Sequence, residues 1–328
     1  MKRRTLLVSL AASALAPLPA FAQAPGKVWR VGFLAQRHME LVDADYFYGP
    51  FTQGMRNLGY VVGKNLVIEW RSAEGNIARL PELAVELVRI NVDIVVTAGT
   101  PAALAAQKAT ATIPIVMLSV GDPVGAGLAK SMARPGGNST GNSMMGADLA
   151  PKLLEMIHAM VPKLTRATVL FNPANPSQAR LLKNIRDAAP KLGVKIQAAG
   201  ASSPGEIASE LTRLTRQNTD GIIVLQDSLF LQQRNQIIEL AAKPLLPSIA
   251  LNSEYVEAGG LMSYGPYIAE NYLRAATYVD KIFKGANPGE LPIEQPTKFE
   301  LALNMKTVKA LGLKVPQSIF IQATKVIE

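Results

Sequence analysis

Thr97, Gly99 and Thr100 stand where an apolar strand gives way to a helix, in Asn91-Val92-Asp93-Ile94-Val95-Val96-Thr97-Ala98-Gly99-Thr100-Pro101-Ala102. Two hydroxyls, a glycine that admits close backbone approach and the unpaired first amides of a helix are donors suited to a small anion. Thr100 is expected at the N-cap, with Pro101 opening the helix. An ordinary strand-to-helix connection has the same look, and what raises this one above it is a second copy. Asn218-Thr219-Asp220-Gly221-Ile222-Ile223-Val224-Leu225 repeats the Asn-x-Asp lead into an apolar strand and runs on into Gln226, Asp227 and Ser228. Asp227 is the first candidate for holding a cationic amine and Asp122 the second; Asp227 also suits the N-cap of a helix beginning near Leu229. Ser119 assists the anion donors. Gln36, Asn172 and Gln226 sit at strand ends, where they orient polar atoms, while Tyr46, Phe47 or Tyr264 cover an apolar part. The chemistry these groups support is non-covalent capture of a small solute.

Their flanks match in the same order. Upstream lie the amphipathic stretches Arg79–Arg89 and Glu206–Arg216, and before them the strands Leu66–Trp70 and Val194–Gln197. Earlier still come Arg30–Ala35 and Ala167–Asn172, and downstream Ile113–Val116 answers Leu246–Ile249. Seven elements in one order, twice, predict two α/β lobes with parallel sheets and ligand-capable turns facing each other. The Gly, Ser and Asn-rich stretch Gly136–Met145 reads as the linker between them, after a loop at Ser119–Gly127 and a helix. A helix over Leu149–Met160 opens the second lobe, and two Asn-Pro steps in Asn172-Pro173-Ala174-Asn175-Pro176 are expected to hold its first turn extended.

The chain opens with Lys2, Arg3 and Arg4, an apolar run from Leu6 to Leu15, and Ala20-Phe21-Ala22. This is the pattern of a secretory signal peptide cut after Ala22, which places the mature chain in the periplasm. No other run reaches the length of a membrane span. Cysteine is absent, which removes disulfides, thiol catalysis and a lipidation site near the cut. Loss of Lys2, Arg3 and Arg4 lowers the formal net charge from +9 to +6. The remaining bases are scattered, without the patch a nucleic-acid partner needs.

Glycine-rich stretches suggest no cofactor. Gly125-x-Gly127 lacks the third glycine of a dinucleotide site, and no phosphate-loop motif occurs. Gly137-Asn138-Ser139-Thr140-Gly141 matches the hydrolase pattern but lacks the strand-turn-helix setting of a nucleophile elbow. The two histidines, His38 and His158, supply neither a convincing base nor a zinc site. The chain is therefore read as a binding protein and not an enzyme.

The order of elements, with Glu254-Tyr255-Val256-Glu257-Ala258-Gly259-Gly260-Leu261-Met262-Ser263-Tyr264-Gly265, Glu294-Gln295-Pro296-Thr297-Lys298-Phe299-Glu300-Leu301 and Lys325-Val326-Ile327-Glu328, resembles the ABC-transporter substrate-binding family that includes tryptophan- and tyrosine-binding proteins. The resemblance covers Lys27–Glu328. It implies the type I periplasmic-binding-protein fold, two Rossmann-like lobes with parallel sheets joined by a three-strand hinge and closing on a solute. It also implies a membrane permease and an ATPase as partners on other chains. The expected division is residues 27–143 with about 254–295 in lobe one, and 144–253 with about 296–328 in lobe two, acting as a monomer. A receptor that hands its solute to a sensor kinase would use the same fold and cleft.

Overall fold

In a computed structural model of the chain, residues 27–37 and 48–328 are described; the signal segment, His38, Tyr46 and Phe47 lie outside the described residues. Strand β1 (Trp29–Ala35) is buried along Val31–Ala35, the pattern of a strand covered on both faces. It pairs in parallel with β2 (Leu66–Ser72) and with β3 (Ile94–Ala98). Strands β4 (Ile115–Val120) and β5 (Ser139–Ser143) complete a five-stranded sheet in the order β2-β1-β3-β4-β5. The second sheet contains β6 (Arg166–Phe171), β7 (Lys195–Gly200), β8 (Gly221–Val224), β9 (Ser248–Ala250) and β10 (Met262–Pro266), in the order β7-β6-β8-β9-β10. The repeat thus extends to a fifth strand. Beyond it, β11 (Phe299–Asn304) pairs antiparallel with β10, and β12 (Lys325–Ile327) closes the edge.

Helices cover both sheets because their apolar residues fall on one stripe. In α1 (Gly49–Asn57), Phe51 and Met55 face the first sheet, and in α2 (Leu80–Arg89) Leu80, Leu83, Ala84 and Leu87 follow helical spacing against the other face. Helix α3 (Thr100–Ala109) follows β3. Helix α4 (Gly146–Met160) carries Pro151, which cannot donate to Ala147 O; Asn184 of α5 (Ser177–Ala188) supplies that carbonyl's partner at 2.7 Å. In the second lobe α6 (Pro204–Thr215) is capped by Ser203, and α7 (Ser228–Gln232), α8 (Arg234–Ala242) and α9 (Ser253–Glu257) follow in turn. Helix α10 (Ile268–Phe283) returns to the first lobe, where Ala276 lies against Gly54 of α1.

Four sequence expectations change. Residues 121–137 form turns without a helix, and Gly136–Met145 is not simply a linker, since Ser139–Ser143 is the edge strand of the first sheet. Gly141, at φ 135°, makes that strand possible: a side chain there would meet the backbone of Met117 at 2.1 Å. The Asn172–Pro176 stretch is a closed turn, with Asn175 N donating to Asn172 O at 3.0 Å. Helix α9 leads into β10 of the second sheet, so the second crossing between lobes lies near Tyr267 and not near residue 254. The third crossing follows Glu294, whose backbone bonds Gly141 O and Ser143 N of β5. Among the described residues, no helix is long and apolar enough to cross a membrane.

Candidate solute-binding cleft

The carboxyl ends of β1, β3 and β4 point toward those of β8 and β9, and a cleft forms between them. From the first lobe, Gln36, Arg37, Gly99 and Ser119 line it; from the second, Gln226, Asp227, Ser228, Leu231 and Asn252. Tyr48, Ile268 and Tyr272 add an apolar wall. The Tyr48 and Tyr272 rings meet edge to face at 6.1 Å, and Tyr48 is fixed from behind by Phe33 and Trp70.

Gly99, at φ 88° and ψ 162°, is the residue that turns the chain from β3 into α3; it takes the cap position expected for Thr100, which is instead the first helical residue. Freed from capping, the Thr100 hydroxyl lies 2.7 Å from the Ser177 hydroxyl of the second lobe and accepts from Gly121 N at 3.3 Å. Thr100 and Ser177 line a narrow extension of the cleft. Two more contacts join the lobes beside it: Gln226 Nε2 donates to Ser119 O at 3.3 Å, and Arg180 pairs with Asp122 at 2.9 Å.

Across the cleft, Asp227 caps α7 by accepting from Leu229 N at 2.9 Å. Asn172 donates to the same Oδ1 at 3.2 Å, and Asn175 donates to Oδ2 at 2.8 Å. Burial pushes the Asp227 carboxyl above its usual range, and these three donors oppose the shift. Ser119 has a left-handed backbone, φ 54°, held by Asn142 accepting from its N–H at 3.0 Å. Buried in the same cleft, Gln36 Nε2, Ser119 Oγ and Asn252 Nδ2 have no protein partner.

Of the sequence candidates, Gln36, Gly99, Ser119, Gln226 and Asp227 therefore come together, with Thr100 beside them. Asn172 sits behind the cleft as a support for Asp227. Thr97 does not line it; the side chain is wholly buried in β3 and its hydroxyl is unpartnered. Asp122 is engaged with Arg180 and Gly125 N, outside the lining. Tyr264 stacks on Phe299 at 5.9 Å in the extended second sheet, away from the cleft lining. Tyr46 lies outside the described residues. Tyr48 belongs to the aromatic cluster that follows β1 in the sequence, whereas Arg37, Asn252, Ile268 and Tyr272 are not among the candidates. Arg37 and Asn252 follow β1 and β9 at their carboxyl ends, so the strand-end rule that found Gln36 reaches them too. Ile268 and Tyr272 come from a helix face and carry no such signal.

The family model for ABC transporter substrate binding proteins matches residues 42–327. The chain belongs to that family. A curated tyrosine-binding protein of Clostridioides difficile (strain R20291) is 28% identical over 265 residues, spanning 80% of this chain and 76% of the relative. The structure of an ABC domain from Streptococcus pneumonia in complex with L-Trp superposes with TM-score 0.84 at 25% identity, covering 91% of this chain and 99% of that one. A ligand-free, open substrate-binding protein with adhesive properties from Clostridium difficile, also 25% identical, reaches TM-score 0.65 over 92% of this chain and 99% of that one. At equal identity this chain is more similar to the solute-bound structure, in keeping with the polar contacts that join its lobes. The two-lobed type I periplasmic-binding fold and the role of solute-binding protein of an ABC transporter follow.

Proposed function

We propose that this family member is a periplasmic receptor that closes on an amino acid, or a related compound with an aromatic part and an ammonium group, for delivery to a membrane permease. Asp227 carries the reading. It is a buried carboxylate whose Oδ2 accepts a single protein hydrogen bond, facing a cleft otherwise rich in donors. A solute ammonium completes it. The solute carboxylate takes the unpartnered donors of Gln36, Ser119 and Asn252 under the charge of Arg37, and the Tyr48–Tyr272 wall covers an apolar side chain. The tyrosine-binding relative and the structural neighbour holding L-Trp support the same class.

In operation, a solute binds one lobe of the open form, and closure adds the contacts of the other; the closed state dominates because the solute binds it more tightly. The loaded form docks as a monomer on the permease, with the ATPase on a further chain. Export and cleavage after Ala22 place it outside the inner membrane.

Thermal unfolding of mature protein, stripped of ligand by unfolding and refolding, tests this against amino acids, aromatic acids, sugars and peptides. A cognate solute at 100 times its Kd stabilises by about 2.7 kcal/mol. The expected result is a shift with aromatic amino acids. A cooperative transition that only sugars or peptides move would overturn the reading.

A further inference from the structure

Glu254 lies in the first turn of α9, two residues after the cleft-lining Asn252. It is 7% exposed, and its Oε1 has no hydrogen-bond partner. Charged and titratable groups face it from several elements: Arg37 after β1, Arg234 on α8, Tyr272 on α10, Lys325 on β12, and Glu257 on its own helix. The Lys325 ammonium is paired with Glu257. Arg37 and Tyr272 both line the cleft, and both are within electrostatic reach of the buried Glu254 carboxylate.

We propose that Glu254 is a specificity-determining partner of Arg37, taking up a proton when a solute carboxylate enters, so that carboxylate solutes bind with proton uptake and neutral solutes without it. This rests on the amino-acid reading of the cleft. The proton comes from the bulk buffer, and no bond in the solute changes. Two carboxylates around one enclosed guanidinium interact strongly, and the entering anion disfavours the charged form of its neighbour. Glu254 is already poised for this. Burial lifts its carboxyl to about 7, against the Arg37 and Arg234 charges that hold it down. Affinity for a carboxylate solute therefore rises as pH falls from the higher, solute-bound value of this group to its solute-free value of about 7. The rise levels off below about 7, where Glu254 is protonated with or without solute, and affinity falls again where Asp227 protonates and the solute ammonium loses its partner.

Two measurements test the proposal. Without solute, carbon NMR of the glutamate carboxyls follows Glu254, identified by the signal lost in Glu254→Gln. The expected midpoint is near 7 and moves upward in Arg37→Gln. A midpoint in the ordinary carboxylate range, or one that Arg37→Gln leaves in place, overturns the proposal. With solute, calorimetry of L-tyrosine binding in phosphate and in Tris at pH 7 counts protons. Wild type is expected to take up as much as about 0.5 proton more than Glu254→Gln, because a carboxyl with its solute-free midpoint near 7 is already half protonated at that pH. Equal counts overturn the proposal. No binding of L-tyrosine or any other amino acid removes the solute step together with the amino-acid reading, whereas the solute-free titration still decides whether Arg37 and Glu254 interact.

Discussion

The turns after β3 and β8 occupy the same place in two copies of one strand order, and they face each other closely enough that a methyl group added at Gly99 would lie 3.6 Å from Ser228 Oγ. Their chemistry has nevertheless parted. The first turn is neutral: a glycine in a conformation closed to other residues, followed by a threonine whose hydroxyl contacts the opposite lobe. The second carries a buried carboxylate fixed by two asparagines and a helix amide. One copy therefore supplies shape and lobe contact, and the other supplies charge. On the proposed reading, this division suits an asymmetric solute, positive at one end and negative at the other, which needs unlike walls.

The largest expected effect comes from the charged turn. Asp227→Ala removes the proposed partner of a solute ammonium, and loss of one member of a buried ion pair costs about 3 kcal/mol or more, roughly a hundredfold or greater in Kd. Folding is expected to persist with a loss of about 1 kcal/mol for the missing helix cap. Calorimetry and thermal unfolding read the two effects separately; unchanged affinity would show that the two turns do not differ in function. The wild-type pH profile sharpens the same point. Because burial raises the Asp227 carboxyl, affinity for an ammonium solute falls as pH drops through that raised value. In the solute-free protein the sign reverses. The folded state binds the proton better than the unfolded one, so this group's contribution to stability declines as pH rises from the unfolded carboxyl value to the folded one.

How far the sequence reveals this arrangement depends on what buries each element. Strands β1, β3, β6 and β8 are legible because parallel strands covered on both faces read as apolar runs, and their order exposes the repeat. Strand β5, Ser139-Thr140-Gly141-Asn142-Ser143, has no apolar residue. It is buried through polar links, Thr140 to Leu291 O and Asn142 to both Ser119 N and Asn271 O, which no periodicity announces. The strand-end rule finds Gln36, Ser119 and Asp227, since β1, β4 and β8 deliver their ends to the cleft. It fails at Tyr264, because this residue lies in the middle of β10 beside the antiparallel β11, and the ring stacks on Phe299. It fails at Thr97 because that side chain is buried one residue before the lining Ala98. Asp122 misleads in another way: its loop reaches past the strand end to meet Arg180 of the other lobe.

The neutral turn yields the next effect. Gly99→Ala places a side chain at φ 88° and ψ 162°, in a region that costs about 1–3 kcal/mol for any residue other than glycine. The added methyl also enters the cleft toward Ser228. Lower thermal stability together with weaker binding is expected. A loss of stability with undiminished affinity would confine Gly99 to the fold and leave the charged turn as the sole determinant of capture.

The smallest effect is expected outside the cleft, at the Asp122–Arg180 pair that spans the lobes. Its arginine side chain is 55% exposed, so solvent screens the attraction and a contribution of at most about 1 kcal/mol to closure is expected. Asp122 keeps its bond from Gly125 N in Arg180→Ala, so the carboxylate is not stranded. Affinity should fall by less than about fivefold at low salt and the deficit should disappear at high salt, because a partly exposed pair is screened within about a Debye length. Binding titrations at the two ionic strengths separate this from the neutral turn, whose Gly99→Ala defect is steric and should be indifferent to salt. A salt-independent loss in Arg180→Ala would mean that the arginine acts by packing α5 and not by holding the lobes together through its charge.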